Sequence, residues 1–286
     1  MQVLRADEMG MCFGVRDALT TIGRVADPTA VTIHGELVHN PEVLAMLDRR
    51  GFHRADEARR GVPGTPVVLV TAHGVSDRER ERLTAAGKQL LDTTCPLVQK
   101  AHAAAKELAA EGRRVVVIGR ADHVEVRGLV EDLAAPIVVA SEAEVLPWPE
   151  RRLGVVSQTT TPVALARRIV ARIRAENPHA DVREIDTICG PTKARIEALA
   201  ALLPRIDALV VVGGHGSNNT RQLVQRGEAA GLRTLHVEHA GELQPAWFVG
   251  CRVVGLTAGT STLPRTIDEV ASWLGRLESA PVRGSA

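Results

Sequence analysis

Residues 92–102 read "DTTCPLVQKAH" and residues 186–203 read "DTICGPTKARIEALAALL", so the phrase Asp-Thr-x-Cys occurs twice with a proline close behind. A looser copy, "EMGMCFGVRDALTTIGRV" from Glu8, has glycines in place of the prolines. In all three, a short strand-like stretch ("QVLRA", "KQLLD", "VREID") runs into a cysteine, and a helical apolar pattern follows. Proline is accepted in the first turn of a helix, which predicts Cys95 at an N-cap and Cys189 near one. The unpaired N–H groups and the dipole at such a helix end favour an anion, and the thiolate is the metal-binding form of cysteine. Cys251, inside "CRVVGL", lacks this setting and reads as core.

The segments between the cysteines alternate strand and helix. Runs such as "TPVVLVTAHG", "RRVVVIGRAD", "RLGVVSQTTT", "DALVVVGGHG" and "CRVVGLTAGT" are too continuously apolar for half-exposed strands and suit parallel strands buried on both faces. Helical spacing appears between them, as in "PVALARRIVARIRAEN", whose arginines read as a solvated face. The expectation is an α/β fold of three small units with parallel sheets in a pseudo-threefold arrangement: residues 13–95, 96–189 and 190–286, the last completed by the N-terminal strand within 1–12. Each unit would bring one cysteine and two polar strand ends to a shared centre, because ligands gather at the carboxyl ends of parallel strands.

Composition narrows the function. A net charge of +1 argues against a nucleic-acid binder, and 2% aromatic residues with no tyrosine leave few platforms for stacked bases. No apolar stretch approaches the roughly 18 residues of a membrane span, and no basic-then-apolar leader is visible, which predicts a cytoplasmic protein. Four cysteines in 286 residues do not resemble a secreted disulfide framework, so free thiols are expected.

The polar strand ends suggest the ligand. His39, His73 and His123 stand where strands finish, with Ser217, Asn219 and Ser261 at equivalent places in the last third. Such donors with little fixed positive charge suit a phosphate or diphosphate, though each histidine alone could be a structural hydrogen-bonder. "GGHGSNNT" resembles a phosphate cradle but fits neither the Walker nor the dinucleotide pattern, and it leaves His215 undecided. Glu125 follows His123 at strand spacing and is a candidate proton donor. Cys12, Cys95 and Cys189 leave the metal open: structural zinc wants a fourth protein ligand, whereas a three-cysteine cubane leaves one iron free for substrate.

The ordered set of fragments is similar to the 4-hydroxy-3-methylbut-2-enyl diphosphate reductase family over nearly the whole chain. The resemblance rests on "GMCFGV", "ELVHN", "AHGVS", "DTTCPLVQKAH", "DHVEVRG", "SQTTT", "DTIC", "GSNN" and "TAGTS". It implies a threefold α/β fold around a [4Fe–4S] cluster on Cys12, Cys95 and Cys189. It also implies a diphosphate held by His39, His73, His123, Ser217, Asn219 and Ser261, and a proton pathway through Glu125 and Thr159. The implied reaction is reductive dehydroxylation of the allylic diphosphate to isopentenyl and dimethylallyl diphosphate, with a ferredoxin- or flavodoxin-type electron donor.

Departures from the family pattern fall around these residues: Asp122 and Val124 flank His123, and Pro191, two residues after Cys189, and Ile196, next to Arg195, replace the usual residues. They raise a paralogue acting on a related allylic diphosphate as an alternative. A non-catalytic iron–sulfur sensor and a zinc hydrolase or lyase are the rival classes.

Overall fold

The computed structural model describes residues 1–56 and 61–278. β1 (Gln2–Arg5) opens the chain, and three all-parallel sheets of four strands follow from the pairing. The first contains β2 (Val31–Ile33), β3 (His53–Arg54), β4 (Val67–Val70) and β5 (Gln89–Asp92) in the order β3-β2-β4-β5. The second contains β6 (Arg114–Ile118), β7 (Ile137–Val139), β8 (Arg152–Ser157) and β9 (Asp181–Glu184) in the order β7-β6-β8-β9. The third takes β10 (Ala208–Val212), β11 (Arg233–Val237) and β12 (Val253–Ala258) from the end of the chain and β1 from its start, in the order β11-β10-β12-β1. Gln2 pairs with Val253 and Arg5 with Leu256, so β1 stands in the third sheet where β5 and β9 stand in theirs.

Helices α1 (Phe13–Gly23), α2 (Pro41–Arg49) and α3 (Asp77–Ala85) accompany the first sheet in sequence. α4 (Pro96–Ala110), α5 (Val124–Glu131) and α6 (Val163–Glu176) accompany the second. α7 (Gly190–Leu202), α8 (Asn218–Ala229) and α9 (Pro264–Glu278) accompany the third. The chain divides into two compact units. One holds residues 1–12, 39–41 and 190 onward with the third sheet; the other holds residues 13–38 and 42–189 with the first two.

Burial on both faces explains the apolar runs. In β6, Val116 and Ile118 pack toward Ile169 and Ile173 of α6, while Val115 and Val117 pack toward Ala101, Ala105 and Leu108 of α4. In β10, Val210 and Val212 join Val270 and Leu274 of α9, and Leu209 and Val211 join Leu199 of α7 and Leu223 of α8. Alternate side chains leave opposite faces of a strand, so such a strand must be apolar throughout. Each fully buried residue of this kind contributes roughly 1.5–3 kcal/mol. Among the described residues no helix is long and apolar enough to cross a membrane.

Candidate active site

The Asp-Thr-x-Cys phrase is a device for turning the chain. At the end of β5, Asp92 Oδ1 accepts the Thr94 N–H at 2.9 Å and the Thr94 hydroxyl at 2.5 Å. Thr93 donates its hydroxyl to the Val70 carbonyl of β4 at 2.6 Å. After β9, Asp186 Oδ1 likewise accepts the Ile188 N–H at 3.1 Å, and the Thr187 hydroxyl donates to the Ser157 carbonyl of β8 at 2.5 Å. Aspartate satisfies the turn, threonine ties it to the neighbouring strand, and the cysteine emerges next.

The cysteine N–H then closes each junction. Cys95 donates to the Ala72 carbonyl (3.1 Å), Cys189 to Thr159 (2.9 Å) and Cys12 to Thr260 (3.0 Å). Each acceptor lies just past the end of the adjacent strand: β4, β8 and β12 respectively. A helix begins at the following residue in every case, at Phe13, Pro96 and Gly190. Cys95 is the N-cap of α4 with Pro96 in the first turn, as the spacing predicts. None of the four cysteines is in a disulfide. A Cβ at Gly14 would lie 2.6 Å from Cys95 Sγ, so glycine is what leaves room for that sulfur. Cys251 instead packs against the core of the third sheet.

In the unit of the first two sheets, His73 follows β4 and His123 follows β6, with ring centroids 5.7 Å apart and planes at 76°. Glu125 is buried: Oε1 accepts the Thr159 N–H at 2.6 Å and Oε2 accepts the Thr159 hydroxyl at 3.0 Å. Burial raises its carboxyl to about 7, against the lowering effect of both Thr159 bonds. The expected strand placement of Glu125 is wrong. β6 ends at Ile118, His123 caps α5, and its Nδ1 accepts the Glu125 N–H at 3.2 Å, so the two residues share a helix start rather than a strand face. Asp122 lies outside this enclosure, bonded to Arg120 at 2.6 Å, and that guanidinium lowers its pKa.

In the unit of the third sheet, Ser217 caps α8 by accepting the Thr220 N–H at 3.3 Å. Asn219 Oδ1 accepts the Thr260 N–H at 3.0 Å, while its buried Nδ2 has no hydrogen-bond partner among the described residues. The segment carrying His39 docks on the loop after β12: Asn40 donates to the Ser261 carbonyl at 2.7 Å, and the Ser261 hydroxyl donates to the His39 carbonyl at 3.3 Å. A Cβ at Gly214 would stand 2.6 Å from that His39 carbonyl, which gives one glycine of "GGHGSNNT" a packing reason. The stretch "HGELVHN" is not itself a strand; β2 stops at Ile33, and His39 sits in the connection to α2. His215 is exposed, its ring 4.1 Å from that of His236.

The set read from the sequence therefore falls into two groups. Cys95, Cys189, His73, His123, Glu125 and Thr159 belong to one unit, and Cys12, His39, Ser217, Asn219 and Ser261 to the other. Sequence reasoning missed Arg80, whose guanidinium bonds Asp92 (2.5 Å) and Thr94 (3.0 Å) ahead of Cys95. Asn40 and the buried Arg195 were also missed as structural partners. Only Arg80, one turn into a charged helix, had any local signal, and it reads as a solvated charge.

Three parallel sheets of one strand order, each leading through a cysteine into a helix start, define an α/β protein with a repeated strand–Cys–helix junction. The chain belongs to the LytB protein family, whose model matches residues 3–275. A relative from Anaeromyxobacter sp. (strain K) is 38% identical over 282 residues, covering 97% of this chain and 100% of its own, and is named 4-hydroxy-3-methylbut-2-enyl diphosphate reductase. A Geobacter sulfurreducens protein of the same name is 35% identical, covering 94% and 95%. Among solved structures, a reductase from Plasmodium falciparum, named for the E-1-hydroxy-2-methyl-but-2-enyl-4-diphosphate substrate, aligns with a TM-score of 0.88 at 25% identity, covering 98% of this chain and 89% of its own. A solved (E)-4-hydroxy-3-methyl-but-2-enyl diphosphate reductase, described as the terminal enzyme of the non-mevalonate pathway, gives 0.69 at 31% identity, covering 96% and 100%.

Proposed function

We propose that the chain is a 4-hydroxy-3-methylbut-2-enyl diphosphate reductase that replaces the allylic hydroxyl by hydrogen, yielding isopentenyl and dimethylallyl diphosphate. The family and the names of its relatives support the reaction class. The observation that carries the reading is a single chain of contacts: Glu125 bonds Thr159, and the Thr159 carbonyl accepts the Cys189 N–H. A carboxyl group near neutrality is thereby tied to a thiol junction.

Cys12, Cys95 and Cys189 would hold a [4Fe–4S] cluster, which when bound supplies the two electrons and an open iron for the hydroxyl oxygen. The residues fit such a group. None of the thiols is in a disulfide, and a Cβ at Gly14 would lie 2.6 Å from Cys95 Sγ, so glycine leaves that sulfur room. Among the described residues no three His, Cys, Asp or Glu side chains gather closely enough for one metal ion.

Glu125 holds a proton at its buried carboxyl and gives it to the departing hydroxyl, which leaves as water. Thr159 orients that carboxyl through its N–H and hydroxyl. A second proton ends on carbon, balancing the two electrons. His39, His73, His123, Ser217, Asn219 and Ser261 bind and orient the diphosphate; the buried Asn219 Nδ2 is a donor suited to a phosphate oxygen. Electrons come from a ferredoxin- or flavodoxin-type protein in the cytoplasm. Division into three units at residues 95 and 189, with residues 1–12 completing the third, is part of this reading, because it gives every unit one cysteine.

Anaerobic purification with iron and sulfide analysis, followed by turnover of the allylic diphosphate with a reduced dye, tests the proposal. Iron, sulfide and both products are expected. A cluster without turnover would favour the sensor, zinc without sulfide the hydrolase, and turnover of only a related diphosphate the paralogue suggested by Asp122, Val124, Pro191 and Ile196.

A further inference from the structure

The three cysteine junctions are built alike except in one respect. The chain ahead of Cys95 and Cys189 is turned by Asp92 or Asp186 and tied down by the hydroxyl of Thr93 or Thr187. The stretch ahead of Cys12 is Glu8-Met9-Gly10-Met11, which contains neither aspartate nor threonine. Its backbone still needs a partner, and a side chain from far along the sequence provides it.

That side chain is Arg195, 4% exposed and in the second turn of α7. Its Nη2 and Nε donate to the Gly10 carbonyl at 2.6 and 3.1 Å, and its Nη1 donates to the Pro191 carbonyl at 3.0 Å. Gly10 is constrained from its other sides. Its N–H donates to the Ala258 carbonyl at 3.0 Å, its φ is +73°, and a Cβ there would meet Ile267 Cδ1 at 2.5 Å. One guanidinium thus joins the approach to Cys12 to the first turn of the helix that begins after Cys189.

We infer that Arg195 is a positioning residue for the Cys12 thiol, taking the role that the Asp-Thr pair performs at the other two junctions. The inference rests on the iron–sulfur reading only for its effect on the cluster. Arginine suits the task because its planar fork places two donors on one carbonyl while a third reaches the helix; lysine offers a point contact. Losing this guanidinium leaves the Gly10 carbonyl without its donor and lowers stability. Thiol positioning is therefore read by measurements other than the melting temperature.

The test compares R195M and R195K with the wild-type chain. Iron release to a chelator is followed in the anaerobic holoprotein. Alkylation of Cys12 and Cys251 is followed by mass spectrometry in the metal-free protein. Groups that orient metal ligands typically change metal affinity by about 10–100-fold when removed. R195M is expected to release iron faster within that range and to alkylate faster at Cys12 with Cys251 unchanged; R195K should fall between. Wild-type iron release and Cys12 alkylation in R195M would overturn the inference even if its melting temperature fell. So would faster iron release with unchanged Cys12 alkylation. If R195M does not fold, R195K decides by the same readouts. A wild-type protein without iron or sulfide would sink the cluster reading but leave the alkylation comparison standing.

Discussion

Asp122 stands in the turn after β6 and Glu125, three residues on, in the first turn of α5, yet their surroundings make them opposite acids. The Asp122 side chain is 70% exposed and held by Arg120, which keeps its carboxyl below the ordinary range. Glu125 is enclosed, and burial lifts its carboxyl to about 7 despite two bonds from Thr159. An acid ionised well below neutrality has no proton to give at pH 7, whereas one near 7 is part protonated and matched to the task. Position in the sequence brings both carboxyls close; environment selects one.

The comparison breaks most directly under substitution. Glu125→Gln should retain iron and substrate affinity while kcat falls by roughly 10²–10⁴. Asp122→Asn, a surface change, should stay within about twofold of the parent. Normal turnover in the first and a dead second would transfer the proton donor to Asp122. A neighbouring substitution, His73→Asn, should raise KM by about 10–100-fold, the value of a hydrogen bond to a charged group, without loss of iron. Iron loss there would make the histidine a ligand.

The pH dependence sharpens the same contrast. In the proposed mechanism the protonated form of Glu125 acts, so kcat should fall as pH rises through about 7, and Glu125→Gln should lack that limb. The Thr159 hydroxyl favours the ionised carboxyl, so Thr159→Val should move the limb to higher pH. A limb that stayed put would mean the titrating group is another. The stability effect is smaller and carries a definite sign. The folded pKa of Glu125 is raised above its ordinary 4.5, so the linked stability is full below 4.5 and is lost as pH rises through about 7. Denaturant titration across that window should show Glu125→Gln with the flatter profile.

Much of the fold was readable because its cause is local and repeated. Continuous Val-Ile runs demand two covered faces, and β6 and β10 have them. The threefold repeat leaves the last unit short of a strand, which the N-terminal strand is expected to supply; its partner there is β12. The polar ends were legible as loops after strands but not in their detail. "HVEV" alternates like a strand, yet β6 has already ended and the His123 ring caps a helix. Arg195 gave no signal at all, since its contact with Gly10 spans most of the chain and follows no period. Glu125 was legible as a carboxylate near a histidine; its burial, and hence its acidity, depends on packing that spacing does not encode.

The central claim is that three of the four cysteines share one iron–sulfur cluster. Iron and inorganic sulfide content of Cys12→Ser, Cys95→Ser, Cys189→Ser and Cys251→Ser, each purified anaerobically, test it directly. The account predicts loss or severe depletion in the first three and parental content in Cys251→Ser, whose cysteine packs on the core of the third sheet. Loss in Cys251→Ser with retention in Cys95→Ser would contradict it.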